Sequence, residues 1–421
     1  MTPVLTRNIS RQQGTTWLDA YEANGGYSAV RKTLSMSPAD VVKLVTDSKL
    51  RGRGGAGFPA GMKWGSILPI ERSPRPRYIA CNFDEMEPGT FKDRFLVNGD
   101  PHQLLEGMII AGWACQADVG YIFIRDEYII TRQILKRAIS EAVAKGWLGE
   151  NIQGSGWSYQ IHIHASAGRY MAGEETGLIN ALEGRSAMPR SKPPYPGTSG
   201  LWGKPTVVNN VETLSCVPQI IENGAEWFIS LGKARDSGTK IYGVSGNVNN
   251  PGCWELPMGS TLHELLELAG GMREGYNFRA ALPGGASTRF MDADQLDIPL
   301  DFDTLSGAGL MLGTGTAIIM DDKACPVGLL ANLAMFYARE SCGWCTPCRE
   351  GLPWVEKLLR AIENGEGQDG DIQLLLDLLK NIGPNTYCAL AAGATFPIES
   401  GIKMFVNDFE EHISSGVCPY K

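Results

Sequence analysis

The pattern of hydrophobic and polar positions changes character twice along the chain. Between about residues 77 and 213, short apolar runs alternate with helical stretches. Residues 78–81, 121–124 and 206–208 read as strands, and 159–164 alternates apolar and polar positions as a half-buried strand does. Helices fit 131–145 and 174–182. Upstream, Ser37 and Pro38 open a helix as N-cap and first-turn residue, with Val41, Val42, Leu44 and Val45 on one face. It stops before Gly52, and a loop over 52–63 follows. Such alternation predicts an α/β layer whose strand-end loops carry chemistry. A second region starts near Gly238. Strands at 240–245, 254–256, 279–282 and 315–320 accompany one helix at 261–268, which makes a small α+β unit. From Pro326 the period is helical: Leu329, Leu330, Leu333, Phe336 and Tyr337 share a face, and Val355, Leu358, Leu359 and Ile362 fall at i, i+3, i+4 and i+7. A helix over 372–382 is stopped by Gly383-Pro384, and a last one fits 398–413. The expected fold class is multi-domain α/β, with an α/β domain over 1–237, a small mixed domain over 238–325 and a helical domain over 326–421.

Composition narrows the function classes. The 421 residues exceed one ordinary core. A net charge of −8 without any basic run argues against nucleic acid. One long uncharged stretch, 304–320, contains four glycines and falls short of the ~20 apolar residues of a membrane helix. Direct membrane insertion is therefore not expected. Residues 1–17 are polar, with Arg7 and Arg11 and no acid, and read as a plain flexible terminus.

Ten cysteines in such a chain point to metal chemistry. Cys342, Cys345 and Cys348 form C-x2-C-x2-C in a loop with Gly343, Thr346 and Pro347, and Cys388 follows 40 positions after Cys348. Three thiolates from one tight loop and a distant fourth match the ligand set of a cubane cluster. Zinc sites more often come as two cysteine pairs or with histidine, which is absent nearby. The other six cysteines, Cys81, Cys115, Cys216, Cys253, Cys325 and Cys418, read as small buried hydrophobes.

A cubane passes single electrons and needs a donor. The glycine-rich stretch 52–57 fits G-x-G-x-x-G, but a helix precedes it where a dinucleotide fingerprint has a strand, so the spacing supports only a phosphate-cradling loop. Phe58 and Lys63 follow it. Asn82, Asp84, Glu85 and Glu87 lie just after a strand and suit a hydroxyl-rich ligand. Gly173-Glu174-Glu175 opens a helix, where the carboxylates could equally serve as caps. Lys192-Pro193-Pro194-Tyr195 presents a cation and an aromatic ring. Residues 208–213 run from strand into helix, a natural phosphate seat.

Six segments together carry a resemblance: GRGGAGFPAGMKW, CNFDEMEPGTFKDR, YMAGEETGLINALEGR, PRSKPPYP, KPTVVNNVETL and ESCGWCTPCREG. They resemble the NADH-binding, FMN-carrying flavoprotein subunits of NADH:ubiquinone oxidoreductase, respiratory complex I, in its bacterial form, from about Tyr27 to Phe409. One departure is Ala172, where relatives often carry cysteine. The resemblance implies a Rossmann-like FMN and NADH domain, a ubiquitin-like β-grasp (SLBB-like) domain and a helical bundle around the cluster. It implies FMN bound by Gly52, Arg53, Gly54, Lys63, Asn82, Asp84, Tyr170, Gly173, Glu174, Glu175, Val208, Asn209, Asn210 and Thr213. NADH would meet Phe58, Glu87, Glu175, Lys192 and Tyr195, and Cys342, Cys345, Cys348 and Cys388 would hold a [4Fe-4S] cluster. Implied partners are a thioredoxin-like [2Fe-2S] subunit and a large iron–sulfur subunit, at the cytoplasmic face of the bacterial inner membrane. Hydride transfer needs no general acid or base, so no such catalyst is expected. The same motifs also suit the diaphorase subunit of an NAD-linked hydrogenase or formate dehydrogenase. A rival of another class is a non-enzymatic β-grasp protein stapled by zinc.

Overall fold

The computed structural model describes residues 3–10, 14–69 and 73–421. Its contacts divide it into two compact units. One comprises the described part of Met1–Met86, with Phe91–Tyr242 and Cys253–Ser260; the other comprises Glu87–Thr90, Gly243–Gly252 and Thr261–Lys421.

The first unit is built on four strands, β1 (Tyr78–Phe83), β2 (Val119–Arg125), β3 (Gln160–Ser166) and β4 (Thr206–Asn210), in the order β3-β2-β1-β4. All neighbours are parallel, with Tyr78 opposite both Val119 and Thr206, and Val119 opposite Gln160. β1 is buried on both faces, as a central parallel strand must be. The chain steps outward from β1 to β2 and β3, then returns to the far side of β1 as β4. The connections therefore diverge between β1 and β4, and the carboxyl ends of these two strands are where an open parallel sheet takes its ligands.

Helices supply the rest of this core. Ser37 caps Pro38–Asp47 by accepting from the Asp40 N–H, as its sequence predicts. The helix Pro101–Cys115 has no amphipathic period to predict it, because 14 of its 15 residues are buried. It packs directly on the helix Val211–Asn223: a Cβ added to Gly107 would lie 2.0 Å from the Leu214 carbonyl oxygen.

Two expectations for this region need correction. The loop over 52–63 ends early, because Ala60–Gly65 forms a short helix carrying Lys63. The terminal segment is not uniformly loose. Met1, Thr2 and residues 11–13 lie outside the described residues, but Val4 and Leu5 are buried. The N–H groups of Val4, Leu5 and Thr6 all donate to the Glu255 carboxylate, at 2.7–3.0 Å.

Two strands follow in sequence, β5 (Thr239–Gly246) and β6 (Gly252–Pro257). In the second unit the end of β5, from Gly243, pairs in parallel with β8 (Thr316–Asp321), and β7 (Phe278–Leu282) pairs antiparallel to β8. Five helices follow: Pro326–Glu340, Thr346–Glu363, Asp371–Ile382, Ala389–Met404 and Val406–Ser415. The single helix expected over 398–413 is two. The chain bends at Phe405, whose buried ring packs edge-on against Phe290 with centroids 5.3 Å apart. Apolar residues stay in phase across the bend, so periodicity alone merges the two helices. Among the described residues, no helix is long and apolar enough to cross a membrane.

The Gly107 contact yields the first prediction. Gly107→Ala gains about 1 kcal/mol of helix propensity. It also forces a methyl group into backbone that cannot rotate away, which costs roughly 1–3 kcal/mol or more. The expected outcome is a thermal midpoint lowered by at least about 2 °C, read by calorimetry. An unchanged or higher midpoint would mean that the helix pair separates without penalty.

Candidate functional site

At the open edge between β1 and β4, the glycine-rich loop comes very close to the strand end. A Cβ on Gly54 would lie 3.1 Å from Asn210 Cβ, and Gly55 and Gly57 adopt φ of 117° and 64°, where side chains are strained. Arg53 donates from its backbone N–H to Thr213 Oγ1 at 2.8 Å. Its guanidinium is fully buried. Nη2 reaches the Ser237 carbonyl at 2.8 Å, while Nε and Nη1 have no hydrogen-bond partner in the protein.

Lys63, on the short helix, donates to Glu175 Oε2 at 2.9 Å and to the Val208 carbonyl at 3.2 Å. Its ammonium lies 5.9 Å from the Phe58 ring centre. Glu175 also receives Lys192 Nζ at 2.7 Å. Burial would push the Glu175 carboxyl up, but the Lys63 ammonium first and then Lys192 outweigh this and hold it below the usual carboxylate range. Glu174 plays the capping part: it accepts from the N–H groups of Thr176 and Gly177 at 2.8 and 2.9 Å. The preceding turn, Tyr170–Gly173, is tied to β1 by Asn82 Nδ2 donating to the Gly173 carbonyl at 2.8 Å. Asp84 is buried just past β1, and Asn209 is held by Trp64 Nε1 at 2.8 Å. Lys192 and Tyr195 stand on an exposed loop, and Tyr195 is 60% exposed.

Beneath this edge lies a buried ionic network that the sequence did not disclose. Lys92 Nζ meets Asp93 Oδ1 at 2.6 Å and Glu212 Oε2 at 2.8 Å, and Lys240 Nζ meets the same Glu212 oxygen at 3.1 Å. Asn210 Nδ2 donates to Asp93 Oδ2 at 2.7 Å. Burial pulls the Lys240 ammonium down to about 8; Lys240, Lys92 and Arg53 keep Glu212 low against its own burial. Isolated charged letters read as solvated residues, so no local signal could have found this network. Its effect is to lock Asn210 and the start of the Val211 helix in place.

Glu87 belongs to the second unit, where Ser287 donates to its carboxylate from the backbone N–H at 2.6 Å and from Oγ at 2.9 Å.

The second unit gathers the four clustered cysteines. Cys345 immediately precedes the helix Thr346–Glu363, Cys348 lies in its first turn, and Cys388 immediately precedes Ala389–Met404. The rings of Trp344 and Tyr387 meet at a tilt of 41° with centroids 4.5 Å apart, which joins the two segments. Burial pushes the Cys348 thiol up to about 11, and the neighbouring Cys345, Cys388 and Cys342 add to the rise. The two helix N-termini beside Cys345 and Cys388 favour thiolates and a net negative cluster.

The donor sets fit the implied groups. A buried guanidinium with two nitrogens lacking a hydrogen-bond partner, a glycine-rich loop, asparagine amides and a buried carboxylate suit a phosphate-bearing, hydroxyl-rich ligand such as FMN. Four converging thiols suit [4Fe-4S]. The expectation that the remaining six cysteines are inert core residues holds for Cys81, Cys115, Cys216 and Cys253, which are buried. It fails for Cys325, while Cys418 is buried as expected but in polar company. Cys325 is only partly buried, with Glu363 Oε2 at 3.1 Å from its sulfur and His412 Nε2 at 3.3 Å, and Cys418 belongs to the same polar group. Cysteines far apart in sequence give no local sign of such a meeting.

Fold and site together define an iron–sulfur flavoprotein of the NADH-oxidising class. The Nuo51 FMN-binding domain matches residues 45–219, the NADH-ubiquinone oxidoreductase-F iron-sulfur binding region matches 328–412, and the SLBB domain matches 241–290. An NADH-quinone oxidoreductase subunit of Salmonella typhimurium (strain LT2) is 53% identical, covering 99% of this chain and 96% of that protein. The corresponding NADH-quinone oxidoreductase subunit of Rhizobium meliloti (strain 1021) is 48% identical over 99% of both chains. A chain of the NAD+-reducing [NiFe]-hydrogenase in the H2-reduced state superposes with a TM-score of 0.80 at 34% identity, covering 94% of this chain and 65% of that one. The chain belongs to the NADH-quinone oxidoreductase-F family, whose members carry FMN and a [4Fe-4S] cluster.

Cys345→Ser removes one of the four sulfurs without touching the β1–β4 edge. Iron is expected to fall from about four per chain towards zero while flavin is retained. Metal analysis and visible spectra read both. Full iron retention would remove Cys345 from the ligand set.

Proposed function

We propose that the chain oxidises NADH by direct hydride transfer to FMN, with electrons leaving singly through the [4Fe-4S] cluster towards quinone reduction in respiratory complex I. One observation carries this reading: a glycine loop with a buried arginine beside the β1–β4 switch point, and cysteines at two helix N-termini, occur in one chain. Bound flavin supplies two-electron acceptance and one-electron release, which neither NADH nor a cubane can do.

In this reading the residues bind and orient. Gly52, Arg53, Gly54 and Thr213 take the flavin phosphate. Lys63, Asn82, Asp84 and the turn from Tyr170 through Gly173 to Glu174 hold the rest of the flavin, with Val208, Asn209 and Asn210 beneath it. Phe58 and Tyr195 flank the adenine of NADH, while Glu175, Lys192 and Glu87 position its polar groups. No side chain moves a proton in the hydride step. The domains follow the sequence: FMN and NADH binding over 1–237, a β-grasp domain over 238–325, which the SLBB match supports, and cluster binding over 326–421. The implied partners are a thioredoxin-like [2Fe-2S] subunit and a large iron–sulfur subunit, with the complex peripheral at the cytoplasmic face of a bacterial inner membrane.

The likeness to the NAD+-reducing hydrogenase favours a second reading, the same NADH–flavin module in another assembly. Higher identity and near-complete coverage of the quinone-linked relatives favour the first. Co-purification of the native assembly decides between them. A companion with a thioredoxin-like fold and a [2Fe-2S] centre is expected, and recovery of a fully active lone chain would count against the partner assignment.

Nucleotide choice is the sharpest test of the site. The Glu175 carboxylate, kept ionised by two lysines, would repel a 2′-phosphate. Glu175→Gln removes that charge and frees Lys63 and Lys192 to attract one. The kcat/KM ratio of NADPH to NADH, measured with ferricyanide, is expected to rise at least about tenfold, or about 1.4 kcal/mol. Glu87→Gln should change it less. An equal loss with both nucleotides would reduce Glu175 to a helix-end charge.

A further inference from the structure

We propose that Cys325, Glu363, His412 and Cys418 form a structural zinc(II) site, separate from the iron–sulfur cysteines. Their donor atoms, two sulfurs, a carboxylate oxygen and an imidazole nitrogen, all lie within 4.8 Å of one another. Tetrahedral zinc bonds of about 2.0–2.3 Å imply ligand atoms roughly 3.3–3.8 Å apart. The observed spacings are 3.1 Å from Cys325 Sγ to Glu363 Oε2, 3.3 Å from Cys325 Sγ to His412 Nε2 and 3.4 Å from His412 Nε2 to Glu363 Oε2.

The four residues come from separate elements. Cys325 caps the helix Pro326–Glu340, Glu363 is the last residue of Thr346–Glu363, His412 lies in Val406–Ser415, and Cys418 follows that helix. Three of the ligands are also oriented from behind. His412 is fully buried, and its Nδ1 lies 2.6 Å from the Asp408 carbonyl. Nδ1–H donates to that carbonyl, which leaves the Nε2 lone pair facing the sulfur of Cys325 and the carboxylate of Glu363. The Gly328 N–H donates to Cys325 Sγ at 3.2 Å, as a helix N-terminus does for a thiolate. Lys421 Nζ takes the other Glu363 oxygen at 2.9 Å.

The charges balance. Two thiols and Zn2+ give a dithiolate complex and two released protons, with no redox change. Two thiolates and one carboxylate exceed the dication by one negative charge, which Lys421 offsets. Four protein ligands, with His412 and Cys418 buried, make this a closed, structural type of site, not a catalytic one. Its place in the unit suits that role. Cys325 and Glu363 stand at the ends of two helices whose other ends lead to Cys342 and Cys345, about 22–27 Å away along helices of 15 and 18 residues. Zinc there would clamp the far ends of the helix pair and tie down the segment after the Val406 helix, leaving the electron path to the cubane.

The test uses the full, tag-free chain purified with its flavin and cluster and without chelators. Metal analysis is expected to find about one zinc beside about four irons per chain. Zinc-edge X-ray absorption should show two sulfur and two nitrogen or oxygen neighbours. Cys418→Ser is expected to lose at least about nine-tenths of the zinc while iron and flavin stay, because this cysteine belongs to neither cofactor's ligand set. Absence of zinc from the wild-type chain, a different metal in the site, or a Cys325–Cys418 disulfide would overturn the proposal. So would full zinc retention in Cys418→Ser. If that variant does not fold, the wild-type zinc content and absorption spectrum still decide.

Discussion

The parallel pairing of β1 with β4 is the constraint on which the nucleotide site depends. Tyr78 to Asn82 run in register with Thr206 to Asn210, so two strands more than a hundred residues apart end side by side. Without that register, Asn82 and Asp84 would not share an edge with Asn209 and Asn210. The glycine loop, Lys63 and the Glu174 turn then attach to the edge through single hydrogen bonds: Arg53 to Thr213, Lys63 to Val208, Asn82 to Gly173. A shift of one residue would turn the strand side chains, Asn82 and Asn209 among them, to the opposite face of the sheet.

Buried charge stiffens the edge. Removing one partner from a buried ion pair costs roughly 3–5 kcal/mol, because the other charge is left without compensation. Lys92, Asp93, Glu212 and Lys240 form such a set under Asn210, and Glu212 sits in the first turn of the helix that leaves β4. The arrangement makes the strand end a rigid floor. Such a floor would hold a bound cofactor in one geometry before a substrate arrives.

The second unit solves a different problem with helix ends. The Thr346 and Ala389 helices aim their N-termini at the four clustered cysteines, where negative charge is favoured. At the opposite ends of the Pro326 and Thr346 helices, a second group of sulfur, nitrogen and oxygen donors closes the bundle. One pair of helices thus carries a polar donor site at each end and an apolar seam between, with Leu330, Ala334, Val355 and Leu359 buried.

Much of this was legible in the residues. The strands of the α/β layer, the Ser37 cap, the C-x2-C-x2-C loop and the glycine cluster are local patterns, and local patterns survive in a linear text because turn chemistry, periodicity and ligand spacing act over a few positions. The family resemblance rests on those same short segments. Tertiary structure alone decided what depends on distant partners. The Pro101–Cys115 helix has no polar face and so no period; it is a helix buried on all sides by the fold. Lys92 and Lys240 look like surface lysines until two remote segments close over Glu212. Cys325 and Cys418 look inert until His412 and Glu363 arrive beside them. Burial, ion pairing and ligand convergence are sums over the whole folded chain, and no window of sequence contains them.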